Sequence, residues 1–226
     1  MSSDLIERLD LPGSEIASAA QRFVFEVSPE FVANHCLRSY LFGREVAKAK
    51  GLRPGVDYDD ELVFLSCMLH DLGVTEYANG DQRFEVDGAD AAARFLRDHG
   101  LPEARVTTAW QAIALHTSAG LAHRFGAVHG VAQMGIAADI IGTDKHLISV
   151  DFAEAVHAKW PRYDLGHTLA EAIAGQIEAN PLKGPPLTFP AHLHAIVYPE
   201  ARPVTWLDAV SAAGWNDRPR SARHTR

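Results

Sequence analysis

Residues 59–73 read DDELVFLSCMLHDLG. Three acids open the stretch, where the positive end of a helix favours them. Its body, Leu62 to Leu69, is apolar almost all round, the pattern of a helix buried on every side. It closes on His70-Asp71, and Gly73 ends the turn. Neighbouring residues on a regular helix point about 100° apart, but at a helix end both side chains can still face one point. A buried helix carrying an imidazole and a carboxylate at its tip predicts a helical bundle with a polar centre.

Working outward, the chain reads as helix almost throughout. Ser28-Pro29-Glu30 is a start signal: a capping side chain, a proline where no amide donor is needed, then an acid in the first turn. That helix runs to Lys50 and stops at Gly51, with Phe31, His35, Ser39 and Phe42 along one side. A third helix lies between Gly88 and Gly100. A fourth starts at Leu101-Pro102-Glu103 and runs past His116 to about Gly120. A fifth covers about Val128 to Ile141, and its Gly130, Gly135 and alanines allow close approach to a neighbour. Further helices fit 149–159, 166–179 and 205–213. The proline-rich stretch 181–203 reads as a lid-like connector, with AHLHAIVY as a short extended piece.

At 226 residues the chain suits one domain with an appendage. A chain this long buries roughly 70% of its unfolded surface, so the core needs no disulfide. The hydrophobic fraction of 47% and charged fraction of 22% are those of a globular protein, not a disordered one. Net charge is −8, and the one basic cluster is the tail RPRSARHTR at 218–226, expected to be a frayed end. A nucleic-acid partner is therefore not expected. The polar, acidic N-terminus is not a signal peptide, and no run of about 18 apolar residues exists to span a membrane. Cys36 and Cys67 are then expected to be reduced thiols in a cytoplasmic protein.

His35, His70, Asp71 and Asp139 sit on three helices that a bundle can bring to one centre. Asp139 lies in an apolar helix. As an unpaired buried charge it would cost several kcal/mol, so it needs a metal or an arginine such as Arg38. The reading adopted is a metal centre built from these four residues. His116 is a candidate proton donor or further ligand, and a second ion would require His123 or His129 to join it. Glu85 is the second candidate acid, and Phe84, Trp110 and Thr117 are candidate substrate contacts.

The order H…HD…D resembles the HD superfamily of metal-dependent hydrolases. NHCLRSYLFG around His35, LHDLG around His70, RFEVDGADAA at 83–92 and ALHTSAG at 114–120 are similar to its cyanamide hydratase branch. The similarity covers about 20–145. It implies an all-α HD bundle over 1–226, with 146–226 as a C-terminal appendage. It also implies a bound divalent metal, zinc in that branch, and addition of water to a small molecule. The donor set alone suits Fe or Mn as well. HD phosphohydrolases often carry a basic residue soon after the dyad; here the run is HDLGVTEY, with Glu76. Phosphate chemistry would require Arg38, Arg83 or Lys145 at the metal. A non-catalytic binding module is the third reading, and a homo-oligomer is left open.

Overall fold

The computed structural model describes residues 8–215 and 217. The basic tail from Arg218 lies outside them. Among the described residues ten α-helices follow one another: α1 (Glu15–Val27), α2 (Glu30–Ala49), α3 (Asp60–Leu69), α4 (Phe84–Asp98), α5 (Glu103–Ala114), α6 (Ala127–Ile141), α7 (Val150–Lys159), α8 (Leu165–Ala179), α9 (Phe189–Val197) and α10 (Trp206–Ala212). Among the described residues there is no strand, only an isolated bridge between Pro54 and Tyr58. None of the helices is long and apolar enough to cross a membrane.

The stretch 59–73 is the centre of the bundle. Asp59 caps α3 by accepting from the Leu62 amide, and every residue from Leu62 to Leu69 is buried. Around it pack α1, α2, α5 and α6. Helix α1, which the sequence analysis does not pick out, is capped by Ser14 and buries Ala17, Ala20 and Val24 on one face. The α2 start differs in detail. Pro29 is the capping residue and no side chain bonds the first turn, because Ser28 instead closes α1 through its amide to the Val24 carbonyl.

α2 and α6 are joined backbone to backbone. A Cβ on Gly135 would fall 1.8 Å from the Ser39 carbonyl oxygen, and one on Gly43 would fall 2.8 Å from the Val131 oxygen. A four-residue advance along α2 thus matches a four-residue retreat along α6, so the helices run antiparallel. One turn further along the same seam, His35 meets Asp139. A second close approach holds the dyad: a Cβ on Gly73 would fall 1.9 Å from the Phe84 oxygen. This contact explains why α4 begins at Phe84, four residues before the expected Gly88. Gly88 lies inside the helix, where a Cβ would fall 2.9 Å from the Gly73 amide nitrogen.

Two further expectations change. α5 ends at Ala114, which leaves His116 in the turn beyond it. The segment AHLHAIVY is not extended: it lies in α9, where Thr188 caps the Ala191 amide and Pro190 occupies the first turn, a position proline tolerates.

The C-terminal third is tied into the bundle. Gln176 on α8 donates to the Gly73 carbonyl (3.0 Å). Lys183, only 2% exposed, donates to the Gly80 carbonyl (3.0 Å) and pairs with Asp87 (2.5 Å). Breaking a buried pair strands the remaining charge and costs ~3–5 kcal/mol. Lys183→Ala is expected to lower unfolding stability by about that much in a urea titration, and a Lys183→Met, Asp87→Leu double variant to regain most of it. A single-variant loss under ~1 kcal/mol would show that the pair does not pin this segment.

Candidate metal centre

The cluster forms where the tips of three segments meet. His35 projects from the second turn of α2, His70 is the C-cap residue of α3, and Asp71 leaves the helix with φ −100° and ψ 16°. That departure from helical geometry turns its carboxylate back beside the His70 ring. All three are buried.

Each imidazole has its rear nitrogen committed. His70 Nδ1 donates to the Cys67 carbonyl (2.7 Å), with the Cys36 sulfur 3.7 Å away. His35 Nδ1 donates to Asp139 Oδ2 (2.7 Å). His116 Nδ1 donates to the Ile113 carbonyl (2.6 Å). A neutral imidazole has one donor and one acceptor nitrogen, so each Nε2 faces inward with a lone pair.

The inward-facing atoms lie close together. His35 Nε2 is 3.2 Å from His70 Nε2, His70 Nε2 is 3.3 Å from Asp71 Oδ2, and His35 Nε2 is 3.7 Å from the same oxygen. Ligands ~2.0–2.2 Å from a tetrahedral ion are roughly 3.3–3.6 Å apart. Asp71 Oδ2 is buried with no hydrogen-bond partner, an arrangement a cation resolves. The donor set and its spacing fit a divalent ion held by His35, His70 and Asp71. Without an ion the charge of Asp71 is balanced by a proton on His70, which a divalent cation would displace. Burial opposes charge on His70, yet Asp71 holds its pKa well above the ordinary value. Burial likewise opposes charge on Asp71, but the His70 and His35 rings keep it ionised, below the ordinary carboxylate range.

Asp139, expected as a fourth ligand, lies behind His35 and outside this group. Its Oδ1 accepts from Arg38 Nε (2.9 Å) and Arg162 Nη1 (2.7 Å). Its Oδ2 accepts from Arg38 Nη2 (2.8 Å) and His35 Nδ1. All four lone-pair sites are thus engaged by the protein's own donors. The carboxylate instead fixes the tautomer and ring plane of His35 from behind, as carboxylates do for metal-binding histidines. Arg162, 23 residues further on, carries no sequence signal for this partnership.

His116 stands beside the cluster, its Nε2 3.8 Å from Asp71 Oδ1 and its ring centroid 4.9 Å from that of His70. Burial, reinforced by the charge on His70, pushes its pKa down to about 4. With Nδ1–H already donated, it offers an acceptor at neutral pH rather than the expected donor. Glu85, fully buried, does not reach the cluster: its oxygens take the Thr117 hydroxyl (2.6 Å) and Arg83 (2.7 Å). Its position is behind Thr117, not at the site. His129 is buried and faces Gln111. Among the described residues no second metal-binding group forms.

The cluster is the floor of a cavity of about 320 Å³. Phe84 and Thr117 line it. Trp110 does not; it packs on the core and donates to Asp90 (2.8 Å). Among the described residues no lysine or arginine lines the cavity. Arg38 is spent on Asp139, Arg83 on Glu85, and Lys145 lines a separate cavity on the far side of α6.

The profile of the HD domain family matches residues 32–213, and the chain belongs to that family of metal-dependent hydrolases, whose members bind a divalent ion. The match reaches through α10. Two curated proteins of Saccharomyces cerevisiae, cyanamide hydratase DDI2 and cyanamide hydratase DDI3, are similar to the chain. Each is 26% identical over 157 residues, 67% of this chain and 68% of the relative.

Proposed function

We propose that the protein adds water to a small, uncharged carbon–nitrogen electrophile of the nitrile class, cyanamide among them. One observation carries this reading: the cavity above the cluster has no cationic side chain to cradle a phosphate. Similarity to the two yeast proteins named cyanamide hydratase supports it. The ligands proposed are His35, His70 and Asp71, with zinc as the ion. A small-molecule partner, with neither nucleic acid nor membrane, and a cytoplasmic location belong to the same proposal.

A divalent ion at this centre would supply positive charge that lowers a water's pKa toward ~7, so that the water gives up its proton readily at neutral pH. The chain's own groups do the rest. His116 Nε2, neutral and pointed at the floor, takes the proton as the water oxygen bonds to the nitrile carbon. It returns that proton to the nitrogen, where the broken π bond leaves an electron pair. The product tautomerises to an amide, which for cyanamide is urea. Thr117, whose hydroxyl hydrogen goes to Glu85, offers its oxygen as an acceptor at the cavity wall beside it. Arg38 and Arg162 keep Asp139 ionised, so that His35 presents Nε2 and not Nδ1.

The test pairs two assays on zinc-replete protein: urea formation from cyanamide, and phosphate release from nucleoside monophosphates. Urea without phosphate is expected. Efficient phosphate release with no urea would sink the reading.

A further inference from the structure

We infer that the substrate carries an apolar substituent, roughly the length of a five- to seven-carbon chain, beyond its reacting carbon–nitrogen group. The inference rests on the nitrile reading above and narrows its substrate class.

Size is the first argument. A water's share of liquid volume is about 30 Å³, so a cavity of about 320 Å³ holds on the order of ten non-hydrogen atoms at that packing. Cyanamide has three. A site built for it alone would leave most of the space to water, against a wall that offers water little.

The wall chemistry is the second. Polar groups gather at the floor, where His35, His70, Asp71, His116 and Thr117 meet. Above them α6 presents Met134, Ala137 and Ile140. α8 presents Leu169 and Ile173, one turn apart and so on one face. Phe189, the first residue of α9, stands at the mouth, 39% exposed. Gln133 and Thr143 break the apolar wall; the Gln133 amide nitrogen is donated to the Ser118 carbonyl, which leaves its oxygen as an acceptor. Apart from the cluster, no described residue on the wall is charged. Over the rest of the wall the amino end of cyanamide would meet aliphatic carbon and lose its hydrogen bonds to water. An alkyl or aryl end would lose nothing and bury apolar area.

The architecture is the third. Leu169, Ile173 and Phe189 come from the C-terminal third, which Lys183 and Gln176 tie to the loop after the dyad. The wall is therefore a fixed part of the site and not a flap that a small substrate would leave open.

The experiment uses the zinc-replete full chain with straight-chain nitriles from acetonitrile to dodecanenitrile, and cyanamide beside them. Binding of the matching amides is measured by calorimetry, independently of turnover. Each buried methylene is expected to tighten amide binding and raise kcat/KM by roughly fourfold, up to about six carbons, with no gain beyond. Leu169→Trp is expected to shorten the preferred chain, and Phe189→Ala, at the mouth, to lengthen it. Length-independent amide binding in a protein that hydrates cyanamide would overturn the inference and leave the nitrile reading standing. Length-dependent amide binding that both variants shift, with no nitrile or cyanamide turned over, would uphold the apolar occupant and remove the nitrile reading.

Discussion

Asp71→Asn is expected to strip the protein of its metal and its activity together. Structural four-ligand zinc sites bind with ~10–16 kcal/mol, so one ligand in four carries on the order of 3 kcal/mol, or at least a hundredfold in affinity. Asp71 is the sole anionic member of the cluster, since the Asp139 charge is consumed by two arginines. The variant also removes the buried oxygen that no donor reaches, so the metal-free variant should fold no worse than metal-free wild type. Two measurements check this. Metal content of purified protein should drop to background. Zinc at a hundredfold excess over the wild-type Kd should stabilise the wild type by ~2.7 kcal/mol and leave the variant unmoved. Full occupancy in Asp71→Asn would remove Asp71 from the centre.

His116→Ala is expected to keep the metal and lose turnover by roughly 10²–10⁴-fold, the contribution of a positioned acid–base group. The loss should fall on kcat, because the imidazole handles the proton in the step rather than holding the substrate. Added imidazole should restore part of the rate, since the cavity left by the ring opens onto the substrate space. Metal loss in this variant would make His116 a fourth ligand. Unchanged turnover would move the proton handling to another group.

The helical bundle is legible in the sequence because burial writes itself as periodicity, and the α3 run between acids and glycine does so most plainly. Positions of close backbone contact are legible only in part. Gly135 reads as a close approach, but Gly88 reads as a helix start, because a glycine inside a helix normally weakens it. Only the Gly73 backbone, brought against it in the folded chain, gives Gly88 its reason. The proline-rich 181–203 hides α9, since prolines read as breakers unless their place in a first turn is known. In the cluster, His35, His70 and Asp71 follow from spacing and helix ends. Asp139 is half legible: its burial demands a cation, but burial does not say whether that cation is a metal or a guanidinium. Arg38, one turn from His35, is visible as an option; Arg162 is not, because the turn that delivers it has no pattern of its own. Glu85 and Trp110 show how an acidic or aromatic residue in a matching motif can serve its neighbours, Arg83, Thr117 and Asp90, instead of a substrate.

The α2–α6 seam carries a consequence for how this chain can change over generations. His35 stands four residues from Ser39, and Asp139 four from Gly135, and the two pairs meet because the backbones touch between them. One residue inserted in either interval would swing the side chain beyond it by ~100° and shift it by ~1.5 Å. The imidazole would then face a different neighbour even if every amino acid were retained. Substitutions along these helices can therefore accumulate while insertions and deletions cannot. The turn at 144–149, which lies outside the seam and the cavity, is free to vary in length. Among descendants of this sequence, conservation of spacing should outlast conservation of letters.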